Sequence, residues 1–240
     1  MALPKINMAP KYSMTIPSTG EEVMFRPFLV KEEKVLMMAM ETGDSKSSLT
    51  AIIDVIKACV DSDTINENNL TAYDVEFMFL QLRSKSVGET SKIGHKCEAC
   101  EHENIIKVPL SEVKVMQTIE DMSDVIELTP EISLKMKWPT YGELMNAGVD
   151  PEKMNELDSV FKLLTRCIDS VMTPDEQMKL SDESEEEQQS FLESLNGDQF
   201  TKVKEYVQNI PAVKYKVDIV CEGCGADIKT EITGIANFFS

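Results

Sequence analysis

The sequence predicts an α+β fold: a helical body with an N-terminal β-hairpin and a β unit assembled from two Cys-x-x-Cys hairpins that lie far apart in the chain. Three patterns predict it. Apolar residues alternate with polar ones from Tyr12 to Phe25 and on both sides of each cysteine pair, which is the period-2 signature of strands. Between these stretches apolar residues recur at helical spacing. The segment HKCEACEHENIIKVPL resembles DIVCEGCGADIKTEIT, each being a strand, a Cys-x-x-Cys turn and a second strand.

The elements follow in order. Tyr12, Met14 and Ile16, then Val23 and Phe25, flank the turn PSTG, and Arg26-Pro27-Phe28 ends the second strand because proline cannot donate to a ladder. KEEKVLMMAM is rich in helix formers. In KSSLTAIIDVIKACV, Leu49, Ile52, Ile53, Ile56 and Cys59 share one helix face. In TAYDVEFMFLQLRSKS, Thr71 with Asp74 suits an N-terminal cap, and Val75, Met78, Phe79 and Leu82 form a stripe. The first cysteine hairpin follows, and DVIELTPEISLKMKWP reads as a second hairpin bent at Thr129-Pro130. Met154, Leu157, Phe161, Leu164 and Ile168 predict a helix from about Glu152 to Val171. The acidic run SDESEEEQQS reads as a solvated helix start, with a docking surface for a basic partner as the competing use. Helices around Gln188–Leu195 and Gly197–Asn209 break at Asn196-Gly197, and Pro211 leads into the second cysteine hairpin.

Charge narrows the function. The 240 residues carry 42 Asp plus Glu against 24 Lys plus Arg, a net −18, with the basic residues scattered. Such a field repels phosphate backbones and anionic membrane surfaces, so neither nucleic acid nor membrane is an expected partner. No apolar run nears the roughly 20 residues that span a bilayer, and MALPKINMAPKYSM has no signal-peptide core. A reducing cytoplasm is therefore expected, where the six Cys serve as thiols or metal ligands rather than disulfides. Two His leave few of the usual catalytic bases. Fifteen Met supply adaptable apolar surface, either to the core or to partner contacts.

Cys-x-x-Cys at a hairpin corner lets two thiolates reach one ion, and two such knuckles complete a tetrahedral set. Cys97, Cys100, Cys221 and Cys224 are thus the expected ligands of one structural zinc per chain, with iron as a minor variant. The result is a zinc-ribbon-like unit, whose halves lie unusually far apart. Gly223 and Gly225 permit a tight left-handed turn in the second knuckle, while Ala99 and Glu101 make the first less ideal. A local site of His95, Cys97, Cys100 and His102 would strand the second pair. A redox pair would need a helix start after the strand. Cys59 and Cys167 lie on apolar helix faces and read as core. Full coordination leaves no open position for water, so the site reads as structural. No Gly-rich phosphate loop, HExxH or GxSxG is present, and no constellation meets the role-by-role test of an active site.

FRPFLVKEEKVLMMAM, DVEFMFLQLRSKSVGE, FLESLNGDQFTKVKEYVQNIPAVKYKVDIVCEGCG and the tail GIANFFS, taken in that order, carry a family likeness. The chain resembles, over most of its length, the baseplate hub assembly proteins of T-even-type contractile-tailed bacteriophages. The resemblance implies a non-enzymatic late protein of virion assembly, or a hub subunit. It would bind other phage tail and baseplate hub proteins, in the host cytoplasm during assembly and in the tail baseplate afterwards. Cys97, Cys100, Cys221 and Cys224 match the family's paired cysteines. The acidic run from Asp182 to Glu187 carries no family role.

The expected organisation is residues 1–90 as hairpin plus helices, 91–138 as first Cys hairpin and second hairpin, 139–210 as a helical insertion, and 211–240 as second Cys hairpin and aromatic tail. One metal would join 91–138 to 211–240, so that the chain forms one interlocked unit. Met37, Met38 and Met40, with the tail pair Phe238 and Phe239, are candidate partner contacts, and completion of the core is their competing use. Two alternatives differ in class. A zinc-ribbon accessory subunit of a nucleic-acid-processing complex should carry basic and aromatic knuckles. These knuckles carry Glu98, Glu101, Glu103, Glu222 and Asp227. A metal-dependent hydrolase would need an open coordination position.

Overall fold

A computed structural model describes residues 10–43, 45–119, 121–149 and 157–234. The chain divides into two compact units: Met1–Asn66, Tyr73–Met116 and Ala212–Ser240 form one, Glu67–Ala72 and Gln117–Pro211 the other. No helix among the described residues is long and apolar enough to cross a membrane.

The first unit opens with strands β1 (Tyr12–Thr15) and β2 (Glu22–Phe25), antiparallel, with Tyr12 opposite Phe25. The alternation buries Met14, Ile16, Val23 and Phe25. Helices α1 (Val30–Glu41) and α2 (Ser45–Cys59) pack on each other, and β3 (Val60–Asp61) returns to pair with β2. Helix α2 buries the predicted Ile52, Ile53, Ile56 and Cys59 together with Ala51 and Val55. Helix α3 (Ala72–Ser86) buries Val75, Met78, Phe79 and Leu82 as expected. Its Asp74, fully buried, accepts the Ser18 N–H at 2.9 Å and so ties the β1–β2 turn to this helix. The first cysteine hairpin is β4 (Thr90–Lys96) and β5 (Glu103–Pro109). A short strand, β6 (Lys114–Met116), ends this part of the chain.

In the second unit, β7 (Val125–Glu127) and β8 (Ser133–Met136) form the hairpin predicted around Thr129-Pro130. Helix α4 (Tyr141–Asn146) starts at Thr140, whose hydroxyl and the Glu143 carboxylate cap each other's turn. Helix α5 (Leu157–Cys167) is shorter than its apolar stripe suggests. Residues 152–156 lie outside the described chain, and Ile168–Met172 is not helix but strand β9, paired with β8 on one side and β10 (Gln177–Lys179) on the other. Ile168 sits four residues after Leu164 and fits a helical stripe equally well. Strand pairing on both edges decides the matter. The acidic run opens α6 (Glu185–Glu193), with Ser184 as N-cap and Glu185, Glu186 and Glu187 exposed in the first turn, where the helix dipole favours them. Asn196 caps α7 (Gly197–Gln208). Leu134, Met136, Leu164, Cys167, Ile168, Leu192, Val203 and Tyr206 form the core of this unit, and Trp138 stacks on Tyr206 at 4.2 Å.

The chain then returns to the first unit as β11 (Ala212–Val220) and β12 (Asp227–Thr233), the second cysteine hairpin. Strand β11 also pairs with β6, giving the sheet order β12-β11-β6. Leu80, Ile93, Ile106, Val108, Leu110, Val213, Val217 and Ile232 form one core beneath both cysteine hairpins. This organisation differs from the sequence-based division in two ways. The 125–136 hairpin belongs with the inserted helices rather than with the first Cys hairpin, because its Leu134 and Met136 are part of their core. The insertion is also not purely helical, since it holds the four-stranded sheet β10-β9-β8-β7.

Candidate metal centre

Each knuckle is built by the same pair of backbone hydrogen bonds. In the first, the Cys97 N–H donates to the His102 carbonyl at 2.9 Å, and the Glu101 N–H donates to the Cys97 carbonyl at 2.8 Å. In the second, the Cys221 N–H donates to the Ala226 carbonyl at 2.8 Å, and the Gly225 N–H donates to the Cys221 carbonyl at 2.9 Å. The residue that closes each turn is left-handed: Gly225 at φ 74° and Glu101 at φ 58°. Glu101 therefore adopts the conformation that glycine adopts without strain, which is the sense in which the first turn is less ideal.

Gly223 departs from the sequence expectation. Its backbone is not left-handed. A Cβ there would stand 2.8 Å from both Cβ and Cγ of His102, so the glycine is required by the close approach of the first knuckle's histidine.

The two corners bring four sulfurs together. Cys97 Sγ lies 3.8 Å from Cys224 Sγ, Cys100 Sγ lies 3.7 Å from Cys221 Sγ, and all four lie within 4.8 Å of one another. A tetrahedral ZnS4 centre with Zn–S bonds of about 2.3 Å has sulfurs about 3.8 Å apart, so the donor set and its spacing fit a metal ion. Among the described residues, these four form the group able to hold one. Neither histidine belongs to it. His95 lines a groove of about 270 Å³ beside the knuckles with Glu98, Asp227 and Lys229, and His102 packs on Gly223. Cys97 and Cys221 are buried, while Cys100 and Cys224 face outward. Cys59 and Cys167 are buried apart from this group, and burial pushes the Cys59 thiol up to about 11. Burial raises Cys167 as well.

Sequence reasoning overlooked Asn104. This residue is 2% exposed and points inward from β5. Its amide nitrogen donates to Cys221 Sγ at 3.6 Å and to the His102 carbonyl at 3.1 Å, and its oxygen accepts the Glu222 N–H at 2.9 Å. One side chain of the first hairpin thereby holds the sulfur and the backbone of the second. A signal was present, because Asn104, Ile106 and Val108 occupy the inward positions of one alternating strand, and an asparagine there needs buried partners.

The thiols are electrostatically unequal. At Cys221 desolvation acts upward, but hydrogen bonds from the Cys224 and Gly223 backbone and the Asn104 amide outweigh it and bring the thiol down to about 6. The Gly223 N–H lies 3.4 Å from that sulfur. Cys100 moves the other way, up to about 12. A backbone hydrogen bond from His102 lowers it, and the sulfurs of Cys224, Cys221 and Cys97, together with desolvation, overcome that effect. Crowded thiols resist ionising together without a cation between them. A bound dication would remove the conflict, and it is the group whose chemistry this donor set suits.

No curated protein and no solved structure is significantly similar to the chain. A family model described as T4 bacteriophage base plate protein matches residues 9–240, which is nearly the whole sequence and includes both knuckles. The chain belongs to the T4 bacteriophage base plate protein family.

Proposed function

We propose that the protein is a hub assembly protein or hub subunit of a phage tail baseplate, acting by binding other tail proteins rather than by catalysis. The family match over residues 9–240 carries this reading, because a baseplate protein works through contacts with other tail proteins. Its working places are the host cytoplasm during assembly and the baseplate of the tail. Cys97, Cys100, Cys221 and Cys224 hold one structural zinc per chain in a zinc-ribbon-like unit that joins the two cysteine hairpins. The sulfur spacing of 3.7 and 3.8 Å and the Asn104 bond to Cys221 support that assignment. The zinc-ribbon subunit of a nucleic-acid complex finds no support in the family match, and the chain's −18 charge opposes it.

Affinity-tagged protein expressed in phage-infected cells should co-purify with tail proteins. Recovery of none, under conditions that recover a known tail subcomplex, would overturn the reading. Metal analysis beside Cys221→Ser tests the zinc. One ion per chain is expected in the parent and less than about a tenth of that in the variant, since the ion would keep only three thiolates. Unchanged metal content would reassign the site.

A further inference from the structure

Asn-Gly occurs once in the sequence, at residues 196–197, and stands at the corner between α6 and α7. The pair is chemically labile. The backbone nitrogen of the second residue can attack the side-chain carbonyl carbon of the first, and glycine hinders that attack least because it has no Cβ and turns freely. Nothing else about position 197 requires glycine. Its φ is not left-handed, and a Cβ built there meets nothing within 4 Å. Both residues are exposed. The Gly197 N–H belongs to the first turn of α7, where backbone donors have no partner within the helix.

The fold holds this pair in an unreactive shape. Asn196 is the N-cap of α7, with φ −75° and ψ 170°. Ring closure needs the Gly197 nitrogen eclipsed with the Asn196 Cβ about the Cα–C bond, and an extended ψ staggers them. The cap fixes that torsion from both sides. The Gln199 N–H donates to Asn196 Oδ1 at 3.0 Å, and the Asn196 N–H donates to Gln199 Oε1 at 3.0 Å. Gln199 is itself anchored, its amide donating to the Leu128 carbonyl at 3.0 Å. The next residue, Phe200, stacks on Phe161 at 5.9 Å and donates its N–H to the Asn196 carbonyl at 2.9 Å. Loss of a side-chain cap shifts a helix terminus toward its open form by about tenfold, so the closed cap should slow the reaction by about that factor. Asn104 and Asn209 differ in kind: each is 2% exposed and precedes an isoleucine, whose branched side chain blocks the attack.

We propose that Asn196 is a deamidation site gated by the α7 cap, converting in the fraction of molecules whose cap is open. In the open form the Gly197 nitrogen gives up its proton and bonds to the Asn196 Cγ, the Cγ–Nδ2 bond breaks, and ammonia leaves with that proton. Water then opens the cyclic imide at either carbonyl, and no other reactant is needed. Cleavage of the new Cγ–N bond gives aspartate, and cleavage of the original peptide C–N bond gives isoaspartate. The products act on α7 in opposite senses. Aspartate keeps an acceptor for the Gln199 N–H and adds negative charge at a helix N-terminus. Isoaspartate routes the main chain through Cβ and Cγ, so the carbonyl that received the Phe200 N–H becomes a branch and the first turn loses its register with Phe161.

The test incubates the full-length protein at mildly alkaline pH beside a sample in guanidinium chloride and follows each asparagine by peptide mapping, with electron-transfer fragmentation separating isoaspartate from aspartate. In the folded protein Asn196 should convert about tenfold more slowly than in guanidinium chloride, and Asn104 and Asn209 should stay intact. Gln199→Ala loosens the cap and leaves the reacting atoms in place, so it should speed conversion of the folded protein by at least about threefold. Gly197→Ala should largely abolish conversion in both samples. After chromatographic separation, the aspartate form should melt at or above the parent temperature, as Asn196→Asp does, and the isoaspartate form below it. Equal rates with and without guanidinium chloride, or a wild-type rate in Gln199→Ala, overturn the gate. An intact Asn196 in the folded protein, while the guanidinium sample converts, overturns the site. Identical melting of the two products overturns their opposite effects on α7.

Discussion

Replacing Asn104 by alanine removes the amide that joins the two knuckles. Three hydrogen bonds disappear, to the His102 carbonyl, the Glu222 N–H and the Cys221 sulfur. Each neutral bond is worth about 1 kcal/mol net, and the partners left behind are partly buried, so the loss should be about 2–3 kcal/mol. For a chain of this size that lowers the melting temperature by roughly 5–10 °C. The bond to sulfur also orients a metal ligand, and loss of such a partner typically weakens metal binding by about 10–100-fold. Thermal melts with and without chelator would give the first quantity, and zinc competition against a chromogenic chelator the second. Two companions separate the causes. Asn104→Leu restores volume and imitates Ile228, which fills the corresponding position of the second hairpin, so stability should partly return while zinc affinity stays low. Asn104→Asp keeps an acceptor for the Glu222 N–H but sets a negative charge beside Cys221, so zinc affinity should fall at least as far. Wild-type zinc affinity in all three variants would refute a role for this side chain at the metal.

Three further outcomes follow from the knuckles. Glu101→Gly should stabilise the protein by about 0.5–1 kcal/mol, because it relieves a left-handed residue at φ 58° at some cost in unfolded-chain entropy; a lower melting temperature would refute this. Gly223→Ala should destabilise by about 1–3 kcal/mol, because the new Cβ meets the His102 Cβ and Cγ at 2.8 Å, and in a denaturant melt it should cost much less in a His102→Gly background, which lacks both of those atoms. In chelator-treated protein Cys221 titrates near 6 rather than at its ordinary 9.0. The fold thus favours the thiolate, and stability should decline as pH falls from about 9 to about 6. Cys221→Ser should flatten that part of a melting-temperature profile, and an unchanged slope would assign it to other groups.

Much of the fold is legible because its signals are local. Period-2 alternation marks β1, β2, β4, β5, β11 and β12, and helical spacing marks α2 and α3 within a few residues of their ends. The cysteine pairs announce themselves by spacing, and their shared flanks place them on matching hairpins. Strand β6 was not legible, because three residues, Lys114–Met116, carry no period, and their pairing with Ala212–Lys214 is fixed from a distant part of the chain. Ile168 was misassigned for the related reason that a single apolar residue fits two periods. The methionines of α1 read equally as core or surface in sequence, because a helix apolar on several sides has no preferred face until its neighbours are known. Phe238 and Phe239, the other candidate contacts, lie outside the described residues.

Strand β6 also changes what a metal would do for this fold. From sequence, a shared ion alone closes the chain between Cys97 and Cys224, residues 127 apart. Cross-linking a loop of that length in an otherwise unconstrained chain contributes about 5 kcal/mol in the loop-entropy picture. The β6–β11 ladder and the core of Ile93, Ile106, Val213, Val217 and Ile232 already bring the two hairpins together without the ion. Much of that entropy is therefore lost before a metal binds. What remains for the ion is local: it neutralises crowded sulfurs and holds two corners, one of them strained at Glu101. Chelation should then leave amide protons of Val213 and Val217 protected from exchange while those of Cys97–His102 and Cys221–Ala226 exchange freely. Loss of protection throughout β11 would mean that the ion, and not the ladder, closes the chain.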